Sequence, residues 1–262
     1  MDIQLNDKRA VVCGSTQGIG KAVAIELAKL GCSVTLVARN EAALKDVLKG
    51  LDQSQGQEHD MVVADFSKPE MVKEEMNGYM RSNHKVHILI NNTGGPPAGS
   101  AIDASPEAFV NAFSAHLICN QHLTQALVPL MREAGYGRII NIISTSVKVP
   151  IPGLGVSNTI RGAVASWAKT LSRELGPDGI TVNNVLPGLT ETARLTSLIK
   201  TRAKNAGITE EEQIALMKST VPAKRFAKAS EVAQAVAFLA SPAASYINGI
   251  NLPVDGGSTP SL

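Results

Sequence analysis

Ala10-Val11-Val12-Cys13-Gly14-Ser15-Thr16-Gln17-Gly18-Ile19-Gly20 joins a short apolar run to a glycine-rich turn, after which Val23, Leu27 and Leu30 continue the helical spacing begun at Ile19 until Gly31. The run reads as a strand and the periodic segment as a helix. A strand-to-helix turn with three glycines lets the backbone approach a pyrophosphate, whose charge is favoured at the exposed N–H groups of a helix N-terminus. The same glycines would also serve a plain tight turn, so the surrounding chain decides the reading.

Working outward, strand-length apolar runs alternate with helix-period segments as far as about residue 185. Strands are expected at 10–13, 33–38, 60–64, 87–90, 138–143 and 181–185, and helices over about 41–49 and 156–175. Ser67-x-x-Glu70 fits a capping box, and Ser105-Pro106 opens one long helix that reaches about Met131. The segment 190–229 is richer in charge and reads as an insertion, followed by a helix at 231–240 and a last strand at 249–254. Repeated βαβ units predict an α/β Rossmann-type fold, a doubly wound parallel sheet with helices on both faces. No repeat, low-complexity tract or Pro/Gly linker divides the chain, so residues 1–262 are expected to form a single dinucleotide-binding domain with the insertion as a substrate lid.

Composition excludes several classes of function. At 262 residues, with 44% hydrophobic and 18% charged, the chain can bury a sizeable core and is not expected to be disordered. Lys and Arg number 25 against 23 Asp and Glu, and aromatic residues make up only 3%. Neither a polyanion-binding surface nor base-stacking platforms are indicated, so no nucleic-acid partner is expected. No window approaches a membrane span, and the first residues lack a signal peptide's apolar core, which makes the cytoplasm the expected location. Cys13, Cys32 and Cys119 have no metal-ligand spacing and read as free thiols; no metal site is expected.

The loop Gly14-x-x-x-Gly18-Ile19-Gly20 resembles that of the short-chain dehydrogenase/reductase family, with Cys13 at the position of the family's threonine. The resemblance covers nearly the whole chain. Asp65 after strand three, followed by Phe66, is similar to the adenine-side aspartate, and Asn91-Asn92-Thr93-Gly94 to the Asn-Asn-Ala-Gly turn. Pro187-Gly188-Leu189-Thr190-Glu191-Thr192 is similar to the segment that grips the nicotinamide carboxamide, and Val254-Asp255-Gly256-Gly257 to the C-terminal signature. By this resemblance Gly14, Ser15, Gln17, Gly18, Ile19, Gly20, Asp65, Phe66, Asn92, Thr93, Gly94, Pro187, Gly188, Leu189 and Thr192 contact the cofactor. Asn91 and Asp255 stand between scaffold and site. Members that use NAD carry an acid at the end of strand two, whereas this chain has Ala38 followed by Arg39. A guanidinium there suits a 2′-phosphate, so NADP is expected over NAD.

At the catalytic positions the family pattern breaks. Ser144 matches the strand-five serine, but the family's tyrosine and lysine fall on Ser157 and Arg161, and its helix asparagine on His116. The closest resemblance is to an atypical subgroup similar to the 3-oxoacyl-carrier-protein reductases. Serine is a far weaker acid than a phenol, and Arg161 is a poor proton shuttle although it can hold the nicotinamide ribose. His116 is the replacement whose ordinary pKa lies near neutrality, while a water between Ser157 and Ser144 is a second proton route.

Two functions follow as expectations: an NADP-dependent oxidoreductase acting on a small-molecule carbonyl or alcohol, or a catalytically inactive dinucleotide-binding regulatory or scaffold protein. Leu195, Leu198, Ile199, Ile214, Leu216, Met217 and Val221 line an apolar substrate pocket or pack helices. The Trp167 face, with Gly162, Ala163 and Ala165, suits close approach of a second copy, so a homo-oligomer, a tetramer, is expected.

Overall fold

The computed structural model describes residues 1–82 and 85–261. Along the chain run β1 (Arg9–Cys13), α1 (Gly18–Lys29), β2 (Ser33–Ala38), α2 (Glu41–Leu48), β3 (Asp60–Val63), α3 (Pro69–Ser82), β4 (Ile88–Asn91), α4 (Pro106–Phe113), α5 (Cys119–Glu133) and β5 (Gly137–Ile142). They are followed by α6 (Gly155–Glu174), β6 (Ile180–Pro187), α7 (Ala193–Ala206), α8 (Glu210–Ser219), α9 (Ala229–Ala240) and β7 (Asn251–Val254). The seven strands form one parallel sheet in the order β3-β2-β1-β4-β5-β6-β7.

Both faces of this sheet are covered, which explains why its strands read as continuous apolar runs rather than alternating ones. Successive residues of β1 enter opposite cores. Ala10 and Val12 pack with Val23 and Leu27 of α1 and Val232 and Val236 of α9, whereas Val11 and Cys13 pack with Leu123 and Leu127 of α5.

One polar feature crosses the middle of the sheet. Asn91, Asn141, Asn184 and Asn251 occupy paired registers on β4, β5, β6 and β7. Asn91 Nδ2 donates to Asn141 Oδ1 (2.8 Å), Asn141 Nδ2 to Asn184 Oδ1 (2.9 Å), and Asn184 Nδ2 to Asn251 Oδ1 (2.8 Å). Buried amides are tolerated because each hands its donor to the next, and Asn91 thereby belongs to the scaffold.

Two local expectations are corrected. The long helix after Ser105 is interrupted by a π-helical stretch, Ser114–Ile118, between α4 and α5. The Ser67 capping box does not form, because the Ser67 hydroxyl donates instead to Asp65 Oδ1 (2.9 Å) and α3 starts at Pro69.

Candidate active site

A cleft of about 940 Å³ opens at the carboxyl ends of the strands. It spans the place where the strand order reverses, between β1 and β4, the usual ligand position in an open α/β sheet. The glycine loop forms one wall. Gly14 and Gly18 have φ of +58° and +54°, which side-chain-bearing residues rarely adopt. A Cβ on Gly18 would lie 3.2 Å from Thr192 Cγ2, so glycine keeps the channel between loop and Thr192 open. Gln17, the residue before α1, gives no side-chain cap, leaving the first N–H groups of that helix to another acceptor. Asn92 braces the loop from behind, its Nδ2 donating to the carbonyls of Cys13 (3.2 Å) and Gly14 (3.3 Å).

Gly14, Gln17, Gly18, Ile19, Arg39, Asp65, Phe66, Asn92, Thr93, Gly94, Pro187, Gly188, Leu189 and Thr192 all border the cleft. Ser15 and Gly20 do not. Ser15 is fully buried, its hydroxyl donating to the Val37 carbonyl of β2 (3.4 Å), and Gly20 is a packing residue whose added Cβ would strike the Gly14 carbonyl. At one end of the cleft Arg39 is exposed and forms no ion pair among the described residues. Nearby, the Ser67 N–H and hydroxyl, both 2.9 Å from Asp65 Oδ1, hold the Asp65 carboxyl below its usual pKa, with Arg39 adding a smaller pull.

At the other end Ser144, Ser157 and Arg161 border the same space. Ser144 lies two residues beyond β5 and caps the short 3-10 turn Thr145–Val147, its Oγ accepting the Ser146 N–H (3.1 Å). Ser157 lies in the first turn of α6, on a start fixed by its surroundings. Gly99 N–H donates to the Gly153 carbonyl and Gly155 N–H to the Gly99 carbonyl, so the loop after β4 is tied to the loop before α6. One turn on, Arg161 is buried, and its Nη1 donates to the Ile142 carbonyl (3.0 Å). Burial, and secondly the charge of Arg194, push its pKa down to about 10, so it remains a cation at neutral pH.

His116 is placed differently from the sequence expectation. It sits in the π-helical stretch, 3% exposed and off the cleft wall, with Nδ1 2.5 Å from Thr93 Oγ1. Burial, helped by the Arg161 charge, lowers its pKa to about 3. The ring is therefore neutral near pH 7 and orients Thr93, which itself borders the cleft. Burial disfavours the imidazolium, so the ring does not carry the near-neutral pKa expected from the sequence.

The segment between β6 and α9 returns to its origin, since Glu191 N–H donates to the Ala227 carbonyl and Ala227 N–H to the Leu189 carbonyl, both 2.9 Å. Of its apolar residues, Leu195, Ile199 and Met217 pack α7 against α8 with Phe226, and Val221 is buried; Leu198 and Leu195 reach the cleft, while Leu216 is exposed. Arg194 and Arg202, on the same face of α7 as Leu198, also border the cleft.

The model of the family described as enoyl-(acyl carrier protein) reductase matches residues 14–259. The chain belongs to the short-chain dehydrogenase/reductase family. It is 32% identical to the 3-oxoacyl-[acyl-carrier-protein] reductase FabG of Haemophilus influenzae, over 97% of this chain and 98% of that protein. It is 30% identical to the NADPH-dependent reductase BacG of Bacillus subtilis, over 98% of this chain and all of that protein. The crystal structure of L-sorbose reductase from Gluconobacter frateurii, complexed with NADPH and L-sorbose, superposes with a TM-score of 0.93 at 31% identity over the full length of both chains.

As a short-chain dehydrogenase/reductase the chain is an oxidoreductase by family, and several of its features escaped the sequence. Asp255 is scaffold: its carboxylate accepts the N–H groups of Gly257 (3.0 Å) and Thr259 (2.8 Å), and Gly188 packs so closely on it that a Cβ would lie 2.7 Å from Asp255 Cα. Ser258, Thr259 and Pro260 border the cleft, a placement no local pattern signals. Trp167 is half-buried, its indole N–H donating to Gln121 Oε1 of the same chain (2.8 Å). Arg194-x-x-x-Leu198-x-x-x-Arg202 carries an i, i+4 spacing in the sequence that places both arginines on the cleft face of α7. Among the described residues no helix is long and apolar enough to cross a membrane, and no cluster of His, Cys, Asp or Glu suits a metal.

Proposed function

We propose that this chain is an NADP-dependent oxidoreductase that acts on a carbonyl or alcohol through an altered catalytic set, Ser144, Ser157 and Arg161, in place of the family's serine, tyrosine and lysine. The observation that carries this reading is the continuity of the cleft. One space is bordered by the glycine loop, by the ion-pair-free Arg39, and by Ser144, Ser157 and Arg161. The fit to a dinucleotide rests on the open channel at Gly18, the uncapped start of α1, and Arg39 where a ribose 2′-phosphate would arrive. NADPH in the sorbose reductase complex and the NADPH dependence of BacG support the same choice.

When bound, the dinucleotide supplies or accepts hydride at its nicotinamide. The remaining work belongs to the chain. Arg161 keeps a fixed positive charge under the reacting end. Ser144 donates a hydrogen bond to the substrate oxygen. The proton reaches that oxygen through a water held between Ser157 and Ser144, because a bridging water spans the distance that a tyrosine would have covered. His116, neutral and bound to Thr93, is a positioning residue. The segment 190–229 is the lid over this end, and the whole of residues 1–262 acts as one domain.

The test is NADPH oxidation followed by absorbance over a broad panel of carbonyl compounds, with Ser144→Ala as the control. Turnover with NADPH that collapses in Ser144→Ala supports the reading. Tight NADPH binding with no turnover on any compound would make the chain a non-catalytic dinucleotide-binding protein.

A further inference from the structure

The reacting end of the cleft carries an unbalanced charge. Arg161, Arg194 and Arg202 border it, whereas among the described residues the one carboxylate on the cleft wall, Asp65, sits at the opposite end beside Arg39. Gly95 lies between two of these guanidinium groups: a Cβ built on it would stand 3.9 Å from Arg161 Nη2 and 3.9 Å from Arg194 Nη2.

Both groups are held by backbone carbonyls rather than by acids. Arg161 Nη1 donates to Ile142 O (3.0 Å) and Arg194 Nη2 to Pro96 O (2.7 Å). Among the described residues neither forms an ion pair. Arg161 is only 8% exposed, so a cation with five N–H donors is buried with one carbonyl as its protein partner. Two like charges are brought toward each other across a residue without a side chain, an arrangement that an anion between them would stabilise. A lysine or histidine would offer no fork, whereas guanidinium matches the planar, two-oxygen geometry of a carboxylate.

We propose that the substrate is a carbonyl or alcohol compound bearing a carboxylate, which is bound over Gly95 between Arg161 and Arg194. This rests on the oxidoreductase reading above and adds the substrate class. Gly95 is glycine so that the carboxylate can enter; Arg161 forms the floor of the subsite and Arg194, on the first turn of α7, its mouth. Arg202, two turns along the same helix face, extends the positive field toward the opening.

The experiment first measures NADPH affinity of the wild type, Arg194→Gln and Gly95→Val. The NADPH-loaded proteins are then titrated calorimetrically with a panel of short 2-, 3- and 4-oxo acids and with their methyl esters. The wild type is expected to bind at least one acid roughly tenfold or more tightly than its ester, the worth of a charge-assisted hydrogen bond. Arg194→Gln is expected to abolish that preference with NADPH affinity unchanged, and Gly95→Val, which keeps both charges, to block the acid by filling its place. Acids bound no better than esters, or not bound at all, would overturn the proposal while leaving turnover of neutral carbonyls to sustain the oxidoreductase reading. A loss of NADPH affinity in Arg194→Gln would also overturn it, since the arginine would then serve the dinucleotide. Absence of NADPH binding in the wild type would instead refute the reading beneath it.

Discussion

Removing Asn141, inside the asparagine ladder, should cost more stability than removing Asn251 at its edge-strand end. Asn141 is fully buried, accepts from Asn91 Nδ2 and donates to Asn184 Oδ1. Asn141→Ala leaves both of these groups unpaired inside the sheet, where water does not reach, in addition to Asn91 Oδ1, which already has no partner. Each unpaired buried polar group costs about 1–3 kcal/mol, so two give about 2–6 kcal/mol. Asn251 stands at the other end of the ladder on the edge strand β7, is half-buried, and serves a single neighbour through its Oδ1. Its alanine variant strands only the Asn184 amide, for about 1–3 kcal/mol or less because solvent is near. Urea unfolding followed by circular dichroism, on both variants at equal protein concentration, measures the difference. Equal losses, or a loss below about 1 kcal/mol for Asn141→Ala, would refute the claim that this ladder is a dry network whose inner amides depend on both neighbours.

Four further outcomes follow from the geometry. Arg39→Ala should weaken NADPH roughly tenfold or more and leave NADH nearly unaffected, as read by fluorescence titration with each nucleotide. The folded pKa of His116, about 3, lies below its ordinary 6.5, so the stability linked to its neutrality is present above about pH 6.5 and is lost as pH falls toward 3. At about pH 5 the deficit is about 2 kcal/mol, and His116→Asn should remove that part of the acid sensitivity in paired urea titrations; His87, lowered to about 4, supplies a similar component that the variant retains. Ser157→Ala should lower kcat by roughly a hundredfold with NADPH affinity intact, whereas the kcat–pH profile of His116→Asn should keep the wild-type shape. Val110 and Phe113 of α4 are exposed; light scattering is expected to report a homo-oligomer, and Phe113→Glu to shift it toward monomer.

The sheet was legible because a parallel strand buried on both faces needs an unbroken apolar run, and because the glycine loop announces the first strand-to-helix turn. The π-helical stretch was not. Ala112, His116, Cys119 and Leu123 keep spacings of four, three and four across it, so the periodicity passes through the irregular turn without a mark. The ladder was equally silent, since its asparagines bond across 43 to 67 residues and each, taken locally, is one polar residue in a strand. His116 shows the limit most clearly. Its position could be counted from the chain, but its charge state depends on burial and on Arg161, both of which arise only when the π-helical stretch packs against α6. The Trp167 hydrogen bond was illegible for the same reason, its partner Gln121 lying 46 residues away.

The central claim, hydride chemistry at a site without tyrosine or lysine, is tested most directly by isotope transfer. NADPH deuterated at C4 of the nicotinamide, on either face in separate reactions, is incubated with the protein and the carbonyl panel, and products are read by mass spectrometry. The account predicts deuterium in an alcohol product from one of the two labelled faces, with transfer nearly abolished in Ser144→Ala. Saturating NADPH binding with no deuterium in any product would contradict it.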